Sequence, residues 1–465
     1  MRGIPITASS PVEHDAALPS NASVVIIGGG IIGVMTAYFL AQKGLRPVLL
    51  EKGRIAGEQS ARNWGWVRQM GRDPAELPIM VEANRIWRQL QAEGPDDLGL
   101  RHCGLTYVAR SEKDLAGFEA WLPHARADGV DSRMLSSAEL HDLIPHAQGS
   151  WPGAMHTASD MRAEPWVAVP ALARAAVVAG AVIRENCAAR LLDVQGGRIA
   201  GVVTEAGRIA TSDVVVAGGA WSNLFLRRHG VNIPQLSVRA TVVATTPVPD
   251  IYAGGADFGE IALRRRVDGG YSLAEGDAHD FWVGPDAFCA ARAFWPQLRA
   301  DPFGRRYLPA APRGFPDAWG TKRRWAGDET SPFERCRVLN PAPSHRKVGQ
   351  ILDRFQQLFP SLGAVEAHAA WAGMIDTMPD VVPVVDRVEA LPGLSICTGM
   401  SGHGFGIGPG FGRIMADLVT GEAPGHDLSR FRLSRFSDGS VLELGPALSI
   451  DWLRSALEER AGAYM

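Results

Sequence analysis

The sequence predicts an α/β (α+β) chain of two interleaved lobes, one of them a Rossmann-like dinucleotide fold, and three observations carry that reading. The first is a βαβ unit near the N-terminus. Ser23-Val24-Val25-Ile26-Ile27 is continuous, β-branched and ended by glycine, the pattern of a strand buried on both faces. Ile31 to Lys43 follows as a helix closed by Gly44, and Val48-Leu49-Leu50-Glu51 as the next strand. The second observation is that buried-strand character returns downstream, at Asp213 to Gly219 and again at Leu394 to Cys397, each time running into glycine. The third is length: 465 residues exceed what one core comfortably holds.

Between these strands the chain reads as follows. Residues 165–180 form a helix rich in Ala and Val, followed by the strand Ala181-Val182-Ile183-Arg184. Gln195-Gly196-Gly197 and Glu205-Ala206-Gly207 mark two hairpins. From about 237 to 345 the chain is rich in Arg, Trp, Pro and Phe with weak periodicity, which predicts a substrate-facing lobe with long loops. A helix from Gly412 to Val419 closes the readable part. Val24 to Ala41 approaches the length of a membrane span, but Gly28-Gly29-Gly30 divides it into strand, turn and buried helix, so no span is expected.

Composition narrows the class of partner. A formal net charge of -3 argues against nucleic acid or an anionic membrane as the main partner, since both call for a basic face. Of 47 basic residues five are lysine, a compositional bias. The five cysteines, Cys103, Cys187, Cys289, Cys336 and Cys397, contain no CxxC pair. They fit neither a disulfide framework nor a zinc site, and no metal is expected. Residues 1–22 lack the charged head and apolar run of a secretory signal, so a cytoplasmic location is expected.

Gly28-Gly29-Gly30-Ile31-Ile32-Gly33 matches GxGxxG between the first strand and the first helix. Gly28 permits the tight turn, Gly30 lets backbone approach a pyrophosphate, and Gly33 lets the helix pack on the strand. Glu51 ends the next strand, eighteen residues after Gly33, where a carboxylate accepts hydrogen bonds from ribose hydroxyls. The motif itself leaves NAD and FAD open.

Two further segments narrow the choice. After Glu51-Lys52 comes Gln59-Ser60-Ala61-Arg62-Asn63-Trp64-Gly65-Trp66-Val67-Arg68, and the late loop Ser401-Gly402-His403-Gly404-Phe405-Gly406-Ile407-Gly408-Pro409-Gly410 leads into a helix. At these residues, and across about 22 to 435, the chain resembles the D-amino acid oxidase/glycine oxidase (DAO) family of FAD-dependent oxidoreductases, which includes sarcosine oxidases and D-amino acid dehydrogenases. The resemblance implies a glutathione-reductase-like FAD-binding domain from 1–92, 152–236 and 362–436. An antiparallel-sheet substrate domain from 93–151 and 237–361 would interleave with it, and 437–465 would be a tail or helix. It also implies that Gly28, Gly30, Ile32, Gly33, Glu51 and Lys52 hold the ADP half of FAD. Ser60, Arg62, Asn63 and Trp64 would line the pyrophosphate and flavin edge, and Ala188 or Ala189 would touch adenine by backbone. Gly218, Gly219, Ala220 and Trp221 would form the turn beside the cofactor. Gly402, His403, Gly404, Phe405, Gly406 and Ile407 would reach the flavin pyrimidine, where a helix N-terminus stabilises negative charge on the reduced ring.

The chain departs from the family pattern where substrate carboxylates bind. Trp371 to Asp380 aligns with a segment W-A-G-L-R-P-x-T-P-D, and Ile375 stands where many members carry a carboxylate-binding Arg, with Asp376 beside it. Gly406 stands where monomeric sarcosine oxidases carry a Lys, and Gly373 where they carry the covalent-flavin Cys, so FAD is expected to be non-covalent. The expected replacement anchors are Arg264 and Arg266, on one face of a strand with Arg265 on the other, and Tyr271 beyond a turn as a substrate contact. A solvated basic edge strand is the alternative, with Arg68 as a second candidate anchor. Asp376 is either a partner for a substrate cation or a turn residue. His403 is either an acid–base group or a support for backbone, and His279 lies nearest the family's oxygen-activating lysine.

The activity implied is oxidation of the C–N bond of an amine or amino acid, secondary or N-substituted amino acids included. Hydride passes to flavin N5 and leaves an imine that hydrolyses. A FAD-dependent 2-hydroxy acid dehydrogenase with His403 as base, a NAD-dependent dehydrogenase, and a flavin subunit of a heteromeric dehydrogenase are the rivals. Oxygen and a quinone or electron-transfer acceptor stay open, as does the oligomeric state.

Overall fold

Two sheets organise the chain, and the computed structural model describes residues 4–94, 96–275, 279–300 and 305–445. The first sheet has six strands in the order Val384–Arg387, Leu394–Thr398, Val214–Val216, Val24–Ile27, Pro47–Leu50, Val182–Arg184. All neighbours are parallel except the Val384–Arg387/Leu394–Thr398 pair. The strands expected at 24–27, 48–51, 181–184, 213–219 and 394–397 therefore lie side by side. Their side chains are almost entirely buried, which is why they read as unbroken apolar runs.

The helix Ile31–Gln42 packs between the helices Gly404–Thr420 and Pro165–Val178 and is buried on nearly every side. The Val24–Ala41 apolar stretch is thus a strand, a turn and a core helix, and among the described residues no helix is long and apolar enough to cross a membrane. Glycine permits the close approach of the two helices. A Cβ on Gly408 would come within 2.7 Å of Ile31, and one on Gly412 within 2.4 Å of Met35. That packing corrects one expectation: the last helix starts at Gly404, not Gly412. Tertiary contact outweighs the low helix propensity of its glycines.

The second sheet has ten strands. Arg305–Leu308, His279–Trp282, Leu236–Thr245, Tyr271–Ala274, Ala262–Arg265, Gly255–Asp257, Leu105–Ala109, Gly153–Thr157 and Ser132–Ser136 follow one another, and Ala367–Thr377 pairs with Leu236–Thr245. Most pairs are antiparallel; Leu105–Ala109/Gly255–Asp257 and His279–Trp282/Arg305–Leu308 are parallel. The stretch 237–282 is more regular than its weak periodicity predicts, while the long loop expectation holds for 309–331. Gly153–Thr157 and Ala367–Thr377 belong to this sheet although they lie beyond the expected boundaries at 151/152 and 361/362. Cross-strand pairing places them there, which local pattern does not report. Of the expected tail or helix over 437–465, residues 437–445 contain no helix and 446–465 lie outside the described residues.

Candidate functional site

A cleft opens along the carboxyl ends of the first sheet's central strands, where ligands of open α/β sheets bind. Its floor is the glycine turn. Gly28 has φ +118°, and a Cβ there would meet the Ala217 carbonyl oxygen at 2.3 Å, so the turn tolerates only glycine. A Cβ on Gly33 would lie 2.0 Å from the Gly28 carbonyl oxygen, the close helix–strand contact its place in the motif predicts. Gly30 caps the helix Ile31–Gln42 without a side-chain bond, and Gly30, Ile31 and Ile32 line the cleft with that helix N-terminus open to it. Ser60 Oγ accepts the Ile31 N–H at 2.9 Å and tethers the loop 57–63 to the turn. The bare backbone, open helix end and lack of Cβ atoms fit a pyrophosphate.

Glu51 lines the cleft at the end of its strand. Its Oε2 accepts Gly29 N–H at 2.8 Å and its Oε1 accepts Gly53 N–H at 2.7 Å, which fixes the carboxylate while leaving lone pairs for ribose hydroxyls. Burial pushes its carboxyl up to about 7, with Lys52 opposing and Glu58 reinforcing the shift. Lys52 Nζ lies 2.5 Å from Glu58 Oε1 and donates to the carbonyls of Cys336 (2.8 Å) and Arg337 (3.1 Å). It also sits 4.5 Å from the Trp221 ring centre, and Trp221 Nε1 donates to Glu58 at 3.0 Å. Glu58 therefore joins three segments of the rim. Sequence reading missed it, because no local motif marks a carboxylate whose partners are 163 and 281 residues away.

The far wall comes from the long strand Ala367–Thr377 and the loop before the last helix. Asp376 lines the cleft, but its Oδ2 accepts Gly399 N–H at 2.8 Å, Gln235 Nε2 at 3.3 Å and Thr398 Oγ1 at 3.4 Å. Burial raises its carboxyl above the ordinary range. It is an anchor for the loop rather than a free partner for a substrate cation. Ile375, one residue out of phase, does not line the cleft and lies beside Gly402, whose Cβ would be 3.7 Å from it.

Of the remaining predicted cofactor residues, Asn63, Ala189, Gly218, Gly219, Gly402, Gly404 and Phe405 line the cleft. Others do not. Arg62 is 1 % exposed and donates to Gly57, Ala372 and Ile6 carbonyls and to Asn340 Oδ1, a tether between segments. Trp64 packs edge-on to Trp66, and Ala188 faces Glu205 through its N–H. Gly406 and Ile407 are buried in the last helix, and a Cβ on Gly406 would sit 3.1 Å from the Trp66 carbonyl oxygen. His403 lies behind the lining, its Nδ1 3.4 Å from Glu76 Oε2. Burial and then Arg72 hold its imidazole below the ordinary range.

The arginine strand does not reach the cleft. Arg264 is fully buried, with Nη1 2.8 Å and Nη2 3.1 Å from the two carboxylate oxygens of Glu164. Arg266 donates to the carbonyls of Tyr271 (2.6 Å) and Thr245 (2.8 Å) and to Asp268, closing its own hairpin. Tyr271 is also fully buried, its hydroxyl accepting from Ile251 and Tyr252 N–H and donating to the Tyr252 carbonyl. None of the three is a substrate contact in this arrangement, nor is the strand a solvated edge. His279 sits on the strand His279–Trp282 outside the cleft lining; burial pushes its imidazole down to about 4. Arg68 is also buried and outside the cleft lining, but it differs in its partners: its guanidinium makes one hydrogen bond among the described residues, to the Met70 carbonyl, and lies 5.4 Å from the Tyr107 ring centre.

Comparison with known proteins matches this geometry. A family model described as FAD dependent oxidoreductase (DAO) matches residues 23–418. The structure of L-amino acid deaminase from Proteus myxofaciens in complex with anthranilate superposes with a TM-score of 0.87 at 31% identity, covering 92% of this chain and 96% of that one. Human peroxisomal sarcosine oxidase is 25% identical over 420 residues, 89% of this chain and 95% of that protein. Human mitochondrial sarcosine dehydrogenase is 30% identical over 258 residues, 54% of this chain, and the match spans 28% of that longer protein.

Proposed function

The chain belongs to the DAO family of FAD-dependent oxidoreductases, and from that premise we propose that it oxidises the C–N bond of an amine or amino acid. The observation that carries the reading is the cleft itself, where the glycine turn, Glu51 and the loop 398–405 converge from three distant parts of the chain. The bound flavin supplies the hydride acceptor at N5. Around it, the open N-terminus of Ile31–Gln42 would hold the pyrophosphate, Glu51 the ribose, and the Gly404 end of the last helix would face charge developing on the reduced ring. The substrate presents a neutral amine, loses hydride from the adjacent carbon, and leaves as an imine that water cleaves to a carbonyl compound and an amine or ammonia.

The relatives are named for sarcosine, glycine and L-amino acids, which supports an amino acid or N-substituted amino acid as substrate. With Arg264 and Arg266 committed, Arg68 is the best remaining candidate for a substrate carboxylate. We further infer non-covalent FAD, since Gly373, which stands where monomeric sarcosine oxidases carry the attaching cysteine, has no thiol to offer. The division into an FAD lobe (1–92, 152–236, 362–436) and a substrate lobe (93–151, 237–361) belongs to the same proposal, with Gly153–Thr157 and Ala367–Thr377 crossing into the second sheet. A cytoplasmic setting with oxygen or a quinone as acceptor completes it. A 2-hydroxy acid dehydrogenase needs a base at the cleft, and His403 does not line it, so amine oxidation is preferred. Product analysis tests the choice. A carbonyl compound and an amine or ammonia should form in equal amounts, whereas a carbonyl product from a hydroxy acid alone overturns it.

A further inference from the structure

Behind the loop 402–406 lies a buried charge cluster that hydride transfer does not use. Arg72 and Glu76 are 2% and 1% exposed, four residues apart where the chain enters the helix Leu77–Glu93. Arg72 Nη2 donates to the His403 carbonyl at 3.1 Å, and Nη1 lies 3.4 Å from Glu76 Oε2. The same Glu76 oxygen lies 3.4 Å from His403 Nδ1. Farther along the helix, Trp87 Nε1 donates to the Gly406 carbonyl at 2.8 Å. One segment thus grips the cap and the first turn of the last helix, where Gly402, Gly404 and Phe405 line the cleft.

The charged groups facing the imidazole are Arg72, Glu76 and Arg68, two cations and one carboxylate. Burial opposes ionisation of Glu76, yet His403, Arg72 and Arg68 together hold its carboxyl below the ordinary range. Its Oε1 has no hydrogen-bond partner among the described residues, so the pair is held by charge and packing more than by a full set of bonds.

We propose that Glu76, with Arg72, is a positioning residue for the cofactor-facing loop, and that the Glu76–His403 contact makes the electron affinity of the bound flavin follow the His403 proton. The inference rests on the cofactor placement given under Proposed function. A protonated His403 adds a positive charge behind the loop and favours the negatively charged reduced ring; a neutral one does not. Without the Glu76 charge, Arg68 and Arg72 face the imidazole uncompensated. Proton uptake by His403 then moves to lower pH, while the net charge behind the loop rises at neutral pH.

The test is the flavin midpoint potential of the purified holoenzyme, followed spectroelectrochemically from about pH 4 to about pH 8, which covers the histidine range and the region below it. Wild type should show a bend in potential against pH. Glu76→Gln should have a more positive potential at neutral pH with its bend about one pH unit lower, and His403→Asn should lack the bend. Curves that superimpose on wild type in both variants overturn the proposal. If Glu76→Gln sheds its flavin on purification, His403→Asn decides alone, and a bend that persists there overturns it. Failure of the cofactor placement is a separate result: full FAD retention in Gly30→Val.

Discussion

At the glycine turn the unusual residues face an open cleft; at the arginine strand they face partners inside the protein. Gly28, Gly30 and Gly33 act through their own backbone, within six residues of chain. Arg264 acts through Glu164, which is 100 residues earlier, and Arg266 through carbonyls of its own hairpin and of Thr245. The two regions also bury charge for opposite ends. The Arg264–Glu164 pair is closed and satisfied on both carboxylate oxygens, a brace between the second sheet and the start of the helix Pro165–Val178. Glu51 is a half-buried carboxylate with no cation bonded to it among the described residues, held by two N–H groups beside a cleft. The first braces the fold; the second lines the cleft proposed to hold the cofactor.

The largest effect expected from that difference is on the brace. Glu164→Ala leaves a buried guanidinium uncompensated and should cost about 3–5 kcal/mol of stability, read from the denaturation midpoint. The double variant Glu164→Leu/Arg264→Met should recover most of it, and FAD per folded molecule should stay constant. A loss under about 1 kcal/mol would put the pair in the class of exposed ion pairs and erase the contrast.

Glu51 should show the opposite sign. Its folded carboxyl stands near 7 against 4.5 in the unfolded chain, because burial disfavours its charge. The folded apoprotein therefore binds the proton more tightly, and its stability should fall as pH rises from about 4.5 through 7, by up to about 3 kcal/mol. Glu51→Gln should flatten that part of the curve. Equal pH dependence in the two apoproteins would show that Glu51 is not the source.

Smaller effects separate packing from ligand contact at the turn. Gly33→Ala drives a Cβ into the Gly28 carbonyl and should cost about 1–3 kcal/mol as well as FAD, while Gly349→Ala, with open space around it, should do neither. Glu51→Ala should weaken FAD ten- to a hundredfold, about 1.4–2.7 kcal/mol, measured by fluorescence titration of the apoprotein.

What the sequence made legible follows from the same distinction of range. The parallel strands, the glycine turn and Glu51 carry their signal in consecutive residues, where burial and backbone conformation restrict residue type. The start of the last helix at Gly404, the long strand Ala367–Thr377 and the strand Gly153–Thr157 do not, because helix packing and cross-strand pairing decide them. Glu58, Glu76 and Asp376 were illegible as anchors for a related reason: their partners lie on other segments, and a single carboxylate has no spacing pattern. Arg264 and Arg266 were misjudged because a pair of arginines on one strand face looks alike whether it awaits a substrate or has already met a glutamate.

A flavin held in this cleft would take hydride from a carbon bearing nitrogen. Anaerobic mixing of the purified yellow protein with a panel of amino acids, N-methyl and N-carboxymethyl amino acids, simple amines and 2-hydroxy acids tests that directly. At least one amine or amino acid should bleach the flavin completely, with the carbonyl product equal to the flavin reduced. Bleaching by hydroxy acids alone, with every amine inert, would contradict it.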